Sequence, residues 1–389
     1  MLIILILFIL MIEPNVSTEA SNIHLKFSNP ILLEKSESSS SPTSSSDSDI
    51  ILLPEIKGCP SPFVSLEHVN INVNKWNSKL QNFYINGLGF VKDERADIIL
   101  NQSQSAGSKT EKGLVWVNIG LQQLHLTDDN SNQAQVINGK INLVYPDIQE
   151  LCERLLANDI EFIQNDYSHI ITKCPFGNTF QITQQDLLSS QSRNRRRAHW
   201  LGPSSLILQG DESIALPGGN GESSLGLGIQ SIEYDVPLNT VEGISKFYEK
   251  YFGVLCSINH NNNGDSDDNH GKKCSVPIGF HQNLIFSEKA GASSHYVGEH
   301  ICIYINDFVR GFERLQKDGL VYENQRFPQF QYKNIRDILK HNEYRFKDIV
   351  DENGNLLFEL EHEIRSCDHR SFCANKAAAK FMQKHRNIQ

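Results

Sequence analysis

Histidines and carboxylates recur at alternating positions of several strand-like segments, and these side chains can bind divalent metals or transfer protons. A period of two places His300 on the same strand face as Cys302 and Tyr304. The same period places Glu359 with Glu361 near the end of the chain. Which chemistry these faces support depends on which strands lie next to each other.

Two further strand faces carry similar groups. Glu233 shares a face with Ser231 and Asp235, and His281 shares one with Asn283. If the fold brings these strands around one site, the residues form a mixed histidine and carboxylate set. Such a set suits non-haem iron, manganese or zinc.

The cysteines do not suggest a metal ribbon or a disulfide scaffold. Eight cysteines occur in 389 residues, and none are spaced as C-x-x-C, which excludes zinc-ribbon and thioredoxin-type sites. Cys256 and Cys274 flank the hydrophilic segment 259–271, which is typical of a hairpin loop. We therefore predict a disulfide between Cys256 and Cys274, if the compartment is oxidising.

Length and charge limit the possible function classes. A chain of 389 residues is long enough for two globular domains with additional tails. The formal charge is −10, so general electrostatic attraction to nucleic acid is not expected. With 39% hydrophobic residues the chain can bury large cores.

An internal repeat organises the chain. SLEHVNINV at 65–73 followed by FYINGLGF at 83–90 matches GIQSIEYDV at 228–236 followed by FYEKYFGV at 247–254. Further along, the segments 140–162 and 300–322 match through an Asp after a strand and a Glu-Arg-Leu within a helix. Each half closes with a Gly-Asn turn into a last strand. The order strand, helix, three strands is thus predicted four times.

These marks resemble the vicinal oxygen chelate superfamily, which includes glyoxalase I, bleomycin-resistance proteins and extradiol dioxygenases. The resemblance rests on the FY motifs, the strand-Asp-helix starts and the Gly-Asn turns over residues 62–184 and 226–364. It implies an α+β fold of four βαβββ modules, which form two glyoxalase-like domains at 62–184 and 226–364 with cup-shaped mixed sheets. It also implies a small-molecule ligand.

In this superfamily, metal ligands lie on the first and last strands of each module. In the first domain those positions carry His68, His125, Lys140 and Gln181. This set lacks a carboxylate, so the resemblance implies a polar small-molecule pocket, although weak zinc or copper binding is also open. Lys140 is equally suited to an anionic ligand.

In the second domain the resemblance implies a metal site made from His300, Glu233 or His281, and Glu359 or Glu361. The last strand is ambiguous because Phe358 competes with Glu359 for the ligand position. A divalent ion, Fe, Mn or Zn, is the expected cofactor. Tyr304 shares the face of His300 and is the expected proton donor.

Two functions follow from the resemblance. One is a metal-dependent enzyme of dioxygenase, lyase or isomerase type that acts on a small oxygenated molecule in the second domain. The other is a metal-free protein that sequesters a small ligand, as bleomycin-resistance proteins do. The presence or absence of bound metal separates the two.

The remaining predictions concern targeting, the segments outside the two domains and glycosylation. Residues 1–20 contain the short apolar run LIILILFILMI and predict a signal peptide, so we expect secretion or a secretory lumen, with no membrane span after its removal. An uncleaved anchor and a two-step plastid signal are the alternatives. A disordered Ser-rich tether at 21–61, a basic linker at 185–225 and a C-terminal tail at 365–389 complete the chain. Asn101 is a candidate glycosylation site.

Overall fold

The alternating and helical segments of the repeats form the elements that their periodicity predicts. We analysed a computed structural model, which describes residues 61–93, 96, 113–120, 122–128, 133–185, 224–260, 270–279, 281–295, 297–325, 328–369 and 372. The signal segment, the tether, the linker, Asn101 and most of the tail lie outside these residues, so the predictions made for them stay predictions. The described residues belong to one compact unit, 51–389.

The described residues of the first half form eight strands and two helical segments. Its strands are β1 (Phe63–Asn72), β2 (Val91–Lys92), β3 (Gly113–Ile119), β4 (Gln122–Asp128), β5 (Gly139–Tyr145), β6 (Phe162–Asp166), β7 (His169–Lys173) and β8 (Thr179–Gln184). Its helices are α1 (Ser78–Gln81), which continues as a π-helical turn (Asn82–Gly87), and α2 (Ile148–Ala157).

In the second half, the part of the chain that the structure describes forms seven strands and three helices. Its strands are β9 (Gly228–Val236), β10 (Ser257–His260), β11 (His270–Gly279), β12 (Gln282–Lys289), β13 (His300–Ile305), β14 (Glu343–Val350) and β15 (Leu356–Ser366). Its helices are α3 (Val241–Phe252), α4 (Phe308–Lys317) and α5 (Ile335–His341).

The two FY motifs lie in equivalent helical segments with their aromatic side chains buried, as predicted. Phe83 and Tyr84 are buried in the turn after α1, and Phe247 and Tyr248 are buried in α3. Helix α3 ends at Gly253, whose φ of 71° is left-handed and therefore suits glycine. The aromatic pairs thus anchor the first helix of each half to the core.

The predicted order of strand, helix and three strands is confirmed for three of the four modules. Modules 1, 2 and 3 (β1–β4, β5–β8 and β9–β12) each follow the order strand, helix, three strands. Among the described residues, module 4 (β13–β15) has two long strands after its helices, and an isolated bridge between Val321 and Phe346 lies where a further strand was predicted. The architecture is therefore α+β, with repeated βαβββ modules.

The modules pair across the two halves of the sequence. One sheet has seven strands in the order β14-β15-β13-β1-β4-β3-β2, and the other has eight in the order β10-β11-β12-β9-β5-β8-β7-β6. Module 1 thus joins module 4, and module 2 joins module 3. The expectation that 62–184 and 226–364 each close a sheet of their own is corrected by this pairing.

Two repeat-related glutamines connect the sheets. The side-chain oxygen of Gln122 accepts a hydrogen bond from the Ile229 backbone N–H at 3.2 Å, and that of Gln282 accepts one from Leu66 N–H at 3.1 Å. Leu66 and Ile229 occupy the same position in their repeats. The two bonds therefore join the sheets symmetrically, and both glutamine side chains are buried.

Candidate metal centre

One face of the seven-stranded sheet is polar across its central strands. His68 on β1 lies opposite Cys302 on β13 and Gln123 on β4, while His300 lies opposite Glu361 on β15. Because directly opposed residues of neighbouring strands point to the same face, these side chains share one surface. Further residues of the same face are Asn118, His125, Tyr304, Arg345, Glu363 and Arg365.

Two histidines from opposite ends of the chain meet at the centre of this face. The Nε2 atoms of His68 and His300 are 3.4 Å apart, and both side chains are buried. The ring of His125 stacks on His68 at 3.7 Å, and Trp116 stacks on the other side of His125 at 4.3 Å. The stack fixes the plane of the His68 ring.

A carboxylate completes the group. Oε2 of Glu363 lies 3.5 Å from Nε2 of His300, and one donor atom each from His68, His300 and Glu363 lie within 4.8 Å of one another. Glu67, His68 and Cys302 form a second, overlapping group by the same measure. The first group has two imidazoles and one carboxylate, which is a common ligand set for divalent iron, manganese or zinc.

An irregularity in β1 brings Glu67 to this face. The register between β1 and β13 shifts between Leu66 and His68, as in a β-bulge. The Glu67 carboxylate therefore reaches Arg365 Nη1 at 2.5 Å and accepts a short hydrogen bond from the Tyr304 hydroxyl. Neighbouring residues 67 and 68 thus both contribute to one surface.

Two arginines, the buried Arg345 and the partly buried Arg365, form ion pairs with several carboxylates of this face. Arg345 forms ion pairs with Glu363, with Glu361 at 2.7 Å and with Glu343 at 3.6 Å. Arg365 pairs with Glu67 and Glu363. Four carboxylates against two guanidiniums leave this cluster of described residues with a formal charge of −2, which a divalent cation would balance.

The pKa values follow from burial and from this charge. Burial lowers the pKa of His68 to about 3 and, with the nearby His68 and His300 rings, holds that of His125 well below its usual value. Both rings are therefore neutral, which is the form that binds metals. The Nδ1 atom of His68 is buried and has no hydrogen-bond partner among the described residues.

The carboxyl groups differ from one another. Burial tends to raise the pKa of Glu363, but Arg345 and Arg365 outweigh it and hold that pKa well below its usual range. Burial and the charge of Glu363 raise the pKa of Glu343, and burial raises the pKa of Glu299 to about 7. Burial therefore favours the protonated form of Glu299, which is next to His300 in sequence.

The structure separates the residues that the sequence grouped around His300. Glu233 lies on β9 in the eight-stranded sheet, bound to Lys140, Lys273 and Ser287. His281 is exposed in the turn between β11 and β12, with a φ of 54°. Neither joins His300, because module 4 pairs with module 1 and not with module 3. The predicted grouping is corrected in this respect.

The last strand resolves the ambiguity at Phe358. Phe358 is buried in the core, whereas Glu361 faces the polar surface opposite His300 and binds Arg345 and Asn324. Glu359 lies further along β15 and forms an ion pair with Lys347. Glu361 therefore belongs to the cluster, whereas Glu359 pairs with Lys347.

Other predicted residues lie as follows. Tyr304 is fully buried and its hydroxyl donates to Glu67, so it positions a carboxylate. Lys140 and Gln181 lie in the eight-stranded sheet, apart from His68 and His125. Cys256 and Cys274 are free thiols that interact with each other, so the predicted disulfide is not formed in this structure.

Sequence reasoning missed Glu67, Glu363 and Arg365. Glu363 continues the alternation of Glu359 and Glu361, so one more step along the strand would have found it. Glu67 reaches this face only because of the bulge in β1, so the alternation of the sequence could not reveal it. The meeting of His68 with His300 depends on strand order, which alternation does not encode.

Three βαβββ modules and a fourth with two long strands after its helices pair into two mixed sheets, an α+β architecture of the kind that the resemblance to the vicinal oxygen chelate superfamily implies. Among solved structures, glyoxalase I from Zea mays is similar at 12% identity over 81% of this chain and 94% of that chain, with a TM-score of 0.46. A mutant of that enzyme gives 12% identity, 81% and 95% coverage and a TM-score of 0.47.

A 4-hydroxymandelate synthase variant from Streptomyces coelicolor is similar at 13% identity over 78% of this chain and 93% of that chain, with a TM-score of 0.27. These similarities concern the fold only. No family model matches the sequence, and no curated protein sequence matches it. Among the described residues, no helix is both long and apolar enough to cross a bilayer.

Proposed function

We propose that this protein is a divalent-metal-dependent enzyme that acts on a small oxygenated organic molecule, with its site on the polar face of the seven-stranded sheet. His68, His300 and Glu363 would hold the ion. The observation that carries the proposal is the approach of His68 and His300 inside a buried cluster of negative formal charge.

The spacing of the donor atoms fits an ion. Two nitrogen ligands at about 2.1 Å and a tetrahedral angle lie about 3.4 Å apart, and the two Nε2 atoms are 3.4 Å apart. A hydrogen bond between two neutral imidazoles would also fit this distance. It would leave the surplus carboxylate charge unbalanced, however, which favours the metal.

A bound divalent ion would act as a Lewis acid toward adjacent substrate oxygens. The chain itself supplies groups for proton transfer. Gln123 donates through its amide to Asp93 and Asn118, so its oxygen accepts from Nε2–H of His125 at 3.2 Å. This leaves Nδ1 of His125 as an acceptor for a substrate hydroxyl. Glu299, with its pKa near 7, is the candidate acid or base.

The proposal is tested by metal content and metal-dependent stability. Chelator-treated wild-type protein should gain thermal stability from Fe²⁺, Mn²⁺ or Zn²⁺, by about 2.7 kcal/mol at one hundred times the dissociation constant. His300→Ala should lose this gain. His281→Ala is the matched control, because that histidine is exposed in the turn between β11 and β12, which belong to the other sheet.

The metal-free sequestering alternative predicts a different outcome. Wild-type protein would then purify without stoichiometric metal and respond to none of the three ions. A response that persists in His300→Ala would place the ion elsewhere and would also contradict the proposed site.

A further inference from the structure

A buried asparagine on the other sheet has an unused acceptor. Asn142 on β5 is only 8% exposed, and its Nδ2 donates to the Ser231 hydroxyl on β9 at 2.8 Å. Its Oδ1 is buried and has no hydrogen-bond partner among the described residues. A buried amide oxygen without a donor is unfavourable, so the position suits a ligand that supplies one.

Two lysines lie next to Asn142 on the same face. Lys140 is two residues away on β5, so its side chain points to the same side as Asn142. Its Nζ lies 3.2 Å from Glu233, and Lys273 on β11 binds the same carboxylate at 2.9 Å. The lysine side chains are 31% and 37% exposed, so both ammonium groups remain accessible from solvent.

The charge on this face is positive. Burial tends to raise the pKa of Glu233, but hydrogen bonds from Ser287 and Lys273 and the charge of Lys140 outweigh it and lower that pKa. Glu233 is therefore ionised, and one carboxylate faces two ammonium groups. A single anionic group on a ligand would balance the remaining positive charge.

Beside Asn142 and Ser231 the neighbouring side chains are polar and uncharged, and the other charged groups of this face, Asp235 and Lys289, pair with each other at 2.8 Å. Gln181 on β8 lies opposite Asn142, and Asn283 on β12 lies opposite Ser231, both partly exposed. The groups of potential metal ligands among the described residues all belong to the other sheet. This face therefore suits a ligand that forms hydrogen bonds and carries a negative charge, and it does not suit a metal ion.

We propose that this face is a second ligand site, which binds a small carboxylate that also carries a hydroxyl group. Lys140 and Lys273 pair with the carboxylate, and the ligand hydroxyl donates to Oδ1 of Asn142. An amino acid would bind less well, because its ammonium group would meet the positive charge of the lysines. The site is independent of the metal centre.

Four probes of similar shape test this assignment by ligand-observed NMR and calorimetry. Lactate has both the carboxylate and the hydroxyl; propionate lacks the hydroxyl, lactamide lacks the charge, and alanine replaces the hydroxyl by an ammonium. We expect lactate to bind at least about tenfold more tightly than the other three, equivalent to about 1.4 kcal/mol. Stronger binding of alanine would assign the site to amino acids and overturn the hydroxy-acid assignment.

Variants locate the binding. Asn142→Ala and Lys140→Met should each weaken lactate binding at least about tenfold, with circular dichroism verifying the fold. His300→Ala should leave it unchanged, which separates this site from the metal centre. Undetectable lactate binding at millimolar concentration, or binding unaffected by Asn142→Ala, would overturn the proposal.

Discussion

His68 and His300 are separated by 232 positions in the sequence, yet their Nε2 atoms lie 3.4 Å apart on the adjacent antiparallel strands β1 and β13. The first and last modules thus build the proposed metal centre together. Each half of the sequence supplies one histidine, and neither half contains the centre by itself.

The first prediction concerns this shared centre. His68→Ala and His300→Ala should each lower metal affinity by more than about 100-fold, since loss of an outer-shell partner alone costs 10–100-fold. The double variant should add little to either single change, because one site is already lost. Competition titration against a chelator of known affinity measures all three. Additive losses would indicate two separate binding sites.

The repeats allowed much of this fold to be predicted, but not the partners of each module. The FY and Gly-Asn marks correctly identified the modules, because helix packing and turns depend on local sequence. Alternation correctly placed His300, Cys302 and Tyr304 on one face of β13. It could not show that β13 lies beside β1, because many registers and strand orders satisfy the same alternation.

The error at Glu233 has the same origin. Its strand face was assigned correctly, and it does share that face with Ser231. Glu233 was nevertheless grouped with His300, because the sequence does not state which modules share a sheet. In the structure, the ammonium groups of Lys140 and Lys273 form ion pairs with the carboxylate oxygens of Glu233. Long-range strand pairing thus determines that Glu233 is an ion-paired residue and does not join the proposed metal ligands.

The second prediction concerns Arg345, which pairs with Glu343, Glu361 and Glu363 and is buried. Arg345→Met should reduce the free energy of unfolding by about 3–5 kcal/mol, because it leaves buried carboxylates without their counter-charge. Urea unfolding at pH 7 measures the change.

The exposed pair between Lys246 and Glu352 provides the control for Arg345. Lys246→Met should change the free energy of unfolding by less than about 1 kcal/mol, since exposed ion pairs contribute little. A similarly small change in Arg345→Met would mean that the cluster is not buried as the structure has it.

The third prediction concerns pH and His362, which lies on the core side of β15. Its Nδ1–H donates to the Leu360 carbonyl at 2.7 Å, so the Tyr248 hydroxyl donates to its Nε2, also at 2.7 Å. Burial lowers the pKa of His362 to about 3. Unfolded chains bind a proton here below about pH 6.5, whereas the folded protein does not until about pH 3.

Stability from His362 is therefore complete above pH 6.5 and falls as the pH drops toward 3, by up to about 1.4 kcal/mol for each pH unit. His362→Gln should reduce this slope, because glutamine does not titrate. Urea unfolding at several pH values between 7 and 4 compares the two proteins. Equal slopes would show that His362 does not control the acid response.

The fourth prediction concerns the join between the two sheets. Gln282 accepts from Leu66 N–H at 3.1 Å and donates to the Ile229 carbonyl at 3.0 Å, and its side chain is buried. Gln282→Ala removes both bonds and leaves the Leu66 N–H without this acceptor. The free energy of unfolding should fall by about 1–3 kcal/mol, the cost of a buried group that loses its partner.

Gln149 is the matched control, because its side chain donates only to Glu153 on the exposed side of α2. Gln149→Ala should change the free energy of unfolding by no more than about 0.5 kcal/mol. Because Gln282 binds β1 and β9 at once, its loss should also increase hydrogen exchange at the Leu66 amide relative to other β1 amides. Unchanged exchange at Leu66 in Gln282→Ala would mean that this bond does not hold the sheets together.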